Sequence, residues 1–354
     1  MASKRPAWLR IEVLILPLLL LYPLFPFLDK LFQTSIDRQL VNIFIFAILA
    51  LALNLQVGYA GLLQLGIAAF FAIGAFTTGV LTVEKYPFQT GFWGALAIAP
   101  MVAGAAGLAL AAPTIRLKGD YLAIVTLGFG EVTRVVILNL ENITDGPRGL
   151  NPIPSPWLPG WLKDVMGGTG SGHLHTLTMY YVALLLLSAL VVVFRNLERS
   201  RAGRELIALR EDELATSCMG INPARTKLVA FAVGAGIAGL AGALYATNLT
   251  TTAEPNTYDF NYSIMVLCCL IIGGLGSLRG VLLGAAVLLT FDGVLSPLLT
   301  TLIQKYVGSN NTNVLASFSN WRWIIFGTAL VLMMRYRPEG LWPSKRMKGE
   351  LHHE

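Results

Sequence analysis

Charged residues are scarce in this chain. Asp, Glu, Lys and Arg make up only 13% of its 354 residues, whereas hydrophobic residues make up 55%. Soluble domains carry about 25% charged residues. The deficit argues against a soluble protein, and several apolar runs are long enough to cross a membrane as helices. The composition therefore predicts an all-α, polytopic membrane protein embedded in the lipid bilayer.

Cysteine and histidine are scarce as well. The three cysteines, Cys218, Cys268 and Cys269, do not have the spacing of a zinc site or a disulfide framework. His173 and His175 share a Gly-rich loop, where we favour a solvated pair over a metal pair. The sequence has neither a Ser-His-Asp arrangement nor the G-x-x-x-x-G-K-[ST] loop that cradles nucleotide phosphates. We therefore predict that the chain is not an enzyme and that it holds no metal and no cofactor of its own.

The formal net charge is +6, which in a soluble protein would suggest nucleic acid as a partner. Here the Lys and Arg residues lie at the ends of apolar runs, where they orient a membrane protein. We therefore expect no nucleic-acid partner.

Ten apolar segments are candidate membrane spans. The first follows a basic N-terminus and has no small-residue cleavage site after it, so we expect it to be retained. The stretch 262–303 is open to two interpretations: one long and one short span, or two helices broken at its glycines. The ten candidates are 11–28, 40–57, 61–83, 92–115, 121–140, 177–194, 227–250, 262–278, 280–303 and 321–337.

Lys and Arg predict the orientation of these spans. With the N-terminus inside, 18 of the 26 Lys and Arg residues fall in cytoplasmic segments and six in external ones. This bias places both termini in the cytoplasm. We expect one transmembrane domain over residues 1–343, with a cytoplasmic loop at 195–227, an external loop at 141–176 and a short cytoplasmic tail at 344–354.

Glycines break the apolar pattern once in each half of the chain. Gly58–Gly61 and Gly273–Gly280 each precede an apolar segment. Broken helices at corresponding places indicate a transport path and a possible internal inverted repeat, whereas close helix packing through small residues is the alternative. The candidate path residues are Gly58, Gly61, Gln64, Gly66, Ile67, Gly273, Gly274 and Gly276.

One charged pair lies inside a predicted span. Glu131 and Arg134 are three residues apart and so share a helix face. Ionisable groups in a bilayer are functional candidates by default. The pair is interpreted either as part of the path or its gate, or, as we favour, as a structural ion pair that holds two helices.

The loop between the sixth and seventh candidate spans carries an unusual cluster of charge. Residues 205–219 predict an amphipathic helix on the membrane surface, with Glu211, Asp212 and Glu213 as its acidic cluster. Gly220 suits a helix end because glycine adopts left-handed backbone angles freely, and Asn222-Pro223 then leads into the next span. Either this is a solvated loop helix or another protein docks on it.

The residues of this loop resemble the coupling loop of ABC-importer permeases. Glu213, Ala215 and Gly220 match the pattern E-x-A-x-x-x-x-G, with Leu214 where alanine is usual. The wider stretch 199–246, RSRAGRELIALREDELATSCMGINPARTKLVAFAVGAGIAGLAGALYA, resembles the M-type membrane permeases of high-affinity branched-chain amino-acid importers. Further blocks resemble that family in the expected order: LNLQVGYAGLLQLGIAAFFAIGAF (53–76), RLKGDYLAIVTLGFGEVTRVV (116–136), NITDGPRGL (142–150), IIGGLGSLRGVLLGA (271–285) and RPEGLWP (337–343).

The resemblance implies a type II-importer-like permease in the cell inner membrane. It implies a second homologous permease, two cytoplasmic ATPase subunits that bind ATP, and an extracytoplasmic substrate-binding protein. The expected substrate is a branched-chain or other neutral amino acid. A urea or short-chain amide permease and a self-contained secondary transporter are the alternatives. The residues that it implies for contact with the ATPase are Glu211, Asp212, Glu213, Ala215, Met219 and Gly220.

The chain departs from the family pattern at two of the candidate path residues. Ile67 stands where many relatives have histidine or tyrosine, and Gln64 replaces a usual small or polar residue. Both lie in the block expected to line the path.

Overall fold

The computed structural model describes residues 36–87, 89–117, 119–157, 171–298, 322–337 and 339–342. The first expected span, 11–28, lies outside these residues. The described part contains helices and no strands, as the composition predicts. Its principal helices are α1 (Ile36–Leu53, continued by a π-helical turn Asn54–Tyr59), α2 (Ile67–Thr82), α3 (Gly91–Thr114), α4 (Asp120–Asn139), α5 (Ser171–Arg199), α6 (Arg201–Glu211), α7 (Glu213–Cys218), α8 (Pro223–Leu249), α9 (Phe260–Gly273), α10 (Leu278–Thr290, continued by a π-helical turn Phe291–Leu295) and α11 (Arg322–Tyr336). Single turns lie at Glu141–Thr144, Gly146–Arg148 and Pro255–Thr257.

Six of the described helices are long and apolar enough to cross a membrane. They are Asp37–Tyr59, Gly91–Thr114, Asp120–Asn139, Leu174–Arg199, Pro223–Leu249 and Leu278–Leu298. The ten predicted spans are therefore not confirmed: α2, α9 and α11 have only 16, 14 and 15 residues, and the first expected span lies outside the described residues. The apolar pattern predicted longer spans at α2 and α9 since it does not mark where a helix gives way to irregular backbone.

The stretch 262–303, described as far as residue 298, contains two helices separated at its glycines: α9, of 14 residues, and the longer helix Leu278–Leu298, of 21. The break lies between Gly273 and Leu278, where Gly274 has φ +118° and Gly276 has φ +71°. These angles suit glycine and strain other residues. The predicted break at the glycines is therefore confirmed.

The chain segments between the helices form two layers. One contains residues 54–62, 115–117, 119, 195–227, 273–280 and 339–342, and we call it the basic layer because of its Arg and Lys residues. Tyr59 Oη donates to Glu198 Oε1 at 2.6 Å, and Leu341 N donates to Ile272 O at 2.8 Å, so distant parts of the sequence meet here.

The second layer, called the opposite layer, contains residues 83–87, 89–91, 139–157 and 250–259. Ile153 N donates to Thr250 O at 2.9 Å, and Lys85 pairs with Asp145. The hydrogen bond to Asp145 raises the pKa of Lys85. Helices α1 to α5 and α8 to α11 run between the two layers.

The central helix, α8, packs closely against α2 and α3. A Cβ atom on Gly74 would lie 2.1 Å from Gly239 O, and one on Gly242 would lie 2.0 Å from Phe71 O. Any side chain would clash at these two positions, so only glycine fits there, and its small size lets the helix backbones approach closely. The internal inverted repeat, both cytoplasmic termini and the single domain over 1–343 stay predictions.

Candidate functional site

The loop 195–227 forms two short helices, α6 and α7, joined at Asp212. The expected single helix over 205–219 is wrong, because Asp212 has extended backbone angles, φ −154° and ψ 117°. Its carboxylate accepts hydrogen bonds from Leu214 N at 2.7 Å and Ala215 N at 3.1 Å. A short acidic side chain in this position caps a new helix, and it competes with continuation of the first.

The end of this loop follows the predicted signals. Gly220 follows α7 with φ +83°, in the left-handed region. Asn222 Oδ1 then accepts a hydrogen bond from Arg225 N at 3.2 Å, and Pro223 is the first residue of α8. Proline in that position costs no hydrogen bond, because the first amide of a helix has no partner within it.

The apolar residues of the loop point in two directions. Leu206 and Leu209 are buried against the helical bundle, each 6% exposed. Leu214 and Met219 are 74% and 81% exposed. We call residues 211–220 the exposed tip; its exposed members among the predicted coupling residues are Glu211, Asp212, Ala215, Met219 and Gly220.

Glu213 differs from its acidic neighbours because it turns toward the bundle. Its Oε1 lies 2.8 Å from Lys227 Nζ, and the two side chains are 30% and 6% exposed. Lys227 Nζ also donates to Ile115 O at 3.3 Å, just after the end of α3. One buried ammonium therefore joins the exposed tip to α8 and α3. The sequence analysis did not identify Lys227, because partners 14 positions apart would be about 21 Å apart in a single helix.

A second charged side chain joins the loop to α1. Arg210 Nη1 donates to Gly58 O at 2.7 Å. The Arg210 side chain also lies over Gly61, where an added Cβ would come within 2.8 Å of Cγ. The sequence analysis predicted no role for Arg210 either, although this residue stands directly before the acidic cluster.

The two glycine-rich segments predicted from the sequence meet below Arg210. Gly276 N donates to Asn54 Oδ1 at 3.0 Å, and a Cβ on Gly58 would lie 2.7 Å from Gly276 N. The last described residues complete this region, since Trp342 N donates to Gly273 O at 3.1 Å. We call Gly58, Gly61, Gly273, Gly274 and Gly276 the glycine crossing. Its glycines allow two backbones to approach closely.

A cleft of about 340 Å³ separates the exposed tip from residues 60–62 and from Leu117, Gly119 and Leu122. Its walls include Gly61, Gly119, Arg210 and Lys227. Charged groups of both signs therefore line the space under the tip, and a solvated segment of another protein would find both donors and acceptors there.

The other candidate path residues form a separate group. Residues 61–66 have no regular secondary structure, and Ile67 begins α2 fully buried. Leu65 N donates to Thr126 Oγ1 at 3.0 Å, and a Cβ on Gly66 would lie 2.1 Å from Thr126 O. Gln64 is 1% exposed, and neither polar atom of its amide has a hydrogen-bond partner among the described residues.

The intramembrane pair Glu131 and Arg134 forms within α4. Arg134 Nε and Nη2 each lie 2.9 Å from Glu131 Oε2. Arg134 Nη1 donates to Asn256 Oδ1 at 2.7 Å, so the pair ties α4 to the loop 250–259 rather than to a second helix. The side chains of Glu131 and Arg134 are 39% and 25% exposed. In the described part of the chain no three His, Cys, Asp or Glu residues are grouped as a metal site.

Comparison with known proteins gives a consistent result. The family described as "Branched-chain amino acid transport system / permease component" matches residues 35–334. The chain is 36% identical to the high-affinity branched-chain amino acid transport system permease proteins LivM of Salmonella typhimurium and of Escherichia coli K12, over 96% of the chain and 77% of each relative. It is 25% identical to the corresponding LivH protein of Escherichia coli K12, over 72% of the chain and 83% of LivH. No solved structure matches.

Proposed function

Because this chain belongs to the branched-chain amino acid transport system permease family, we propose that it is the membrane subunit of an ABC importer for branched-chain or other neutral amino acids. Its relatives are transport permeases and not enzymes. ATP would be bound and hydrolysed by partner subunits, consistent with the missing phosphate loop. The structural observation that supports this proposal is the exposed tip. It is a capped element that faces solvent, and its two exposed apolar side chains, Leu214 and Met219, suit contact with a partner protein.

The proposed assembly contains a second homologous permease, two ATPase subunits and an extracytoplasmic substrate-binding protein. The similarity to LivH as well as LivM supports a partner of the same family. The basic layer would face the cytoplasm and the opposite layer the exterior, because positive residues are retained on the cytoplasmic side. The chain would then lie in the cell inner membrane as a multi-pass protein.

The exposed tip would insert into a groove of the ATPase. Leu214 and Met219 would supply apolar contacts, while Glu211 and Asp212 would supply charged ones. Closure of the ATPase pair would move the tip. Lys227 would pass this motion to α8 and α3 through its bonds to Glu213 and Ile115, and Arg210 would pass it to the glycine crossing. Coupling of two distant sites needs a structural element that has two arrangements, and both the ATPase and the membrane helices must be able to shift the equilibrium between them.

The transport path remains a proposal. The partly exposed pair Glu131 and Arg134 supports a path beside α4, because charged groups are costly when they face lipid. The face of α4 would instead contact water or the second permease. The buried, unbonded amide of Gln64 and the irregular backbone of residues 61–66 support a path that passes along the start of α2.

The two alternative functions have less support. No relative reported above is named for urea or an amide, so branched-chain or neutral amino acids are the better-supported substrates. A self-contained secondary transporter is also not favoured, since the family consists of permease components of a transport system.

The decisive experiment for this proposal purifies the complex through a C-terminal tag and reconstitutes it with the binding protein. We expect two ATPase subunits and a second permease to co-purify, and ATP to drive uptake of leucine into vesicles. Ala215→Trp should leave ATP hydrolysis measurable and abolish uptake, because the exposed position lies within the tip.

Ala202→Trp is the matched control, since Ala202 is also exposed but lies in α6, outside the tip. Unchanged uptake by the Ala215→Trp complex would contradict the proposal that the tip is the coupling element. A chain that elutes alone, without an ATPase, would contradict the proposal that it is part of an ABC importer.

A further inference from the structure

A small cavity lies inside the subunit, in the half of the bundle next to the opposite layer. It has a volume of about 150 Å³ and lies among α1, α8, α9 and α10. Ligand pockets for drug-sized molecules have volumes of about 300–1,000 Å³. The cavity is smaller than these, so it suits a small metabolite. Its lining combines amides, aromatic rings with one acidic residue, and apolar side chains.

Amides form one wall of the cavity. Gln39 and Asn42 project from the first two turns of α1. Asn42 Oδ1 accepts a hydrogen bond from Asn248 Nδ2 at 3.1 Å. This bond orients the amide so that its NH₂ group is turned away from Asn248. Amide NH₂ groups and hydroxyls are donors that a carboxylate accepts.

Aromatic rings and one acidic residue form the second wall. The Tyr245 and Tyr262 hydroxyls lie 2.9 Å apart, and the Phe46 ring centroid is 5.5 Å from that of Tyr262. Asp292 lies in the π-helical turn after α10 and also lines the cavity. Ring faces and a carboxylate both attract an ammonium group. π-helical turns within α-helices are frequent at functional sites.

The third part of the lining is apolar. Met265 and Leu289 are 5% and 6% exposed and contribute no charge. They would contact an aliphatic group. The flexible thioether of methionine adapts to different shapes, which suits a site that accepts several related side chains.

We infer that this cavity is a binding site for a neutral aliphatic amino acid within the subunit, reached from the opposite layer. The ammonium group of the ligand lies toward Asp292 and the tyrosine rings, its carboxylate toward Asn42 and Gln39, and its side chain toward Met265 and Leu289. This inference rests on the proposed function, since it uses the same substrate class. The inference adds to the proposed function an intermediate binding site for the substrate within one permease subunit.

The test measures binding of radiolabelled leucine to the whole purified complex in lipid nanodiscs, without ATP or binding protein. The unmodified complex should bind leucine. Asp292→Asn should weaken binding at least tenfold, because the amide loses the charge that the ammonium group needs. Leu289→Phe should narrow the apolar end, so it should weaken leucine binding more than alanine binding.

Leu283→Phe is the matched control for Leu289→Phe. Both residues lie on α10, but Leu283 is 41% exposed and does not line the cavity. It should leave leucine binding unchanged. The preference for alanine over leucine distinguishes a binding role from general damage to the fold. It also keeps the inference testable if Asp292→Asn prevents assembly.

Three outcomes would overturn the inference. Leucine binding unchanged by both cavity variants would place the site elsewhere. Phosphatidylethanolamine that co-purifies with the complex and is lost with Asp292→Asn, found by mass spectrometry where leucine does not bind, would assign the cavity to a lipid amine. A larger effect of Leu283→Phe than of Leu289→Phe would also contradict it. Failure of ATP-driven leucine uptake by the unmodified complex would instead contradict the proposed function.

Discussion

Lys227→Met removes the buried ammonium that joins the exposed tip to the bundle. Methionine keeps the unbranched shape and the packing of the side chain but donates no hydrogen bond. Removing one partner of a fully buried ion pair costs about 3–5 kcal/mol. The Glu213 side chain is 30% exposed and can be hydrated when it loses its partner, so we expect a smaller loss of about 2 kcal/mol, in the range for hydrogen bonds to charged groups.

This loss should act on coupling rather than on assembly alone. If the bond through Lys227 holds the tip in the arrangement that moves α8, a loss of about 2 kcal/mol lowers the population of that arrangement roughly 30-fold relative to the detached one. We expect fewer leucine molecules transported per ATP hydrolysed in proteoliposomes, while ATP hydrolysis continues. Both rates should be measured on the same preparation.

A double-mutant cycle gives the matched control. If Glu213 and Lys227 act as one pair, Glu213→Gln in the Lys227→Met background should add little to the defect. Lys227→Arg should retain part of the coupling, because guanidinium also donates to carboxylate and carbonyl oxygens. Two results would refute a role of this ion pair in coupling. One is a Lys227→Met complex that transports as many leucine molecules per ATP as the unmodified complex. The other is a double variant whose defect equals the sum of the Lys227→Met and Glu213→Gln defects.

Further predictions concern the glycine crossing and its contact with Arg210. Arg210→Met should reduce uptake per ATP, because the bond to Gly58 O is lost; Arg204→Met, at an exposed residue of the same helix, is the control. Gly58→Ala should lower the thermal stability of the purified complex by several degrees, since an added Cβ would lie 2.0 Å from Asn54 Oδ1 and 2.7 Å from Gly276 N. In Gly220→Ala the added Cβ would have no atom within 4 Å, so the only destabilisation is the strain of φ +83°, about 1 kcal/mol. The melting temperature of this variant should therefore fall less than that of Gly58→Ala. Equal melting temperatures for the two glycine variants would contradict the close approach at the crossing.

Local signals in the sequence predicted the local structure well. Gly220 and the Asn222-Pro223 pair each act through their own backbone, and the helix end and the next helix start lie where they indicate. Asp212 carried a similar signal. It was read as one more member of an acidic helix, although aspartate is also a preferred residue for starting a new helix.

Long-range contacts were beyond the reach of sequence patterns. Two glycine segments could be recognised as breaks, but their meeting at Gly58 and Gly276 depends on how α1 and α10 pack. The pairing of Glu213 with Lys227 depends on the turn at Gly220, because residues 14 apart in one continuous helix would lie about 21 Å from each other along its axis. For the same reason the cavity beside Asp292 could not be predicted, since four helices supply its walls.

Hydrogen bonds from residues 341 and 342 to Ile272 O and Gly273 O have a consequence for the order of folding. These carbonyl groups lie at the end of α9, where the helix itself supplies no partners. A chain that emerges from the ribosome passes residue 273 long before residue 341. Until residues 341 and 342 have been synthesised, these two carbonyl groups lack these donors, so this contact at the end of α9 is completed late. Deletion of residues 339–342 should thus trap a late assembly intermediate rather than simply shorten a tail.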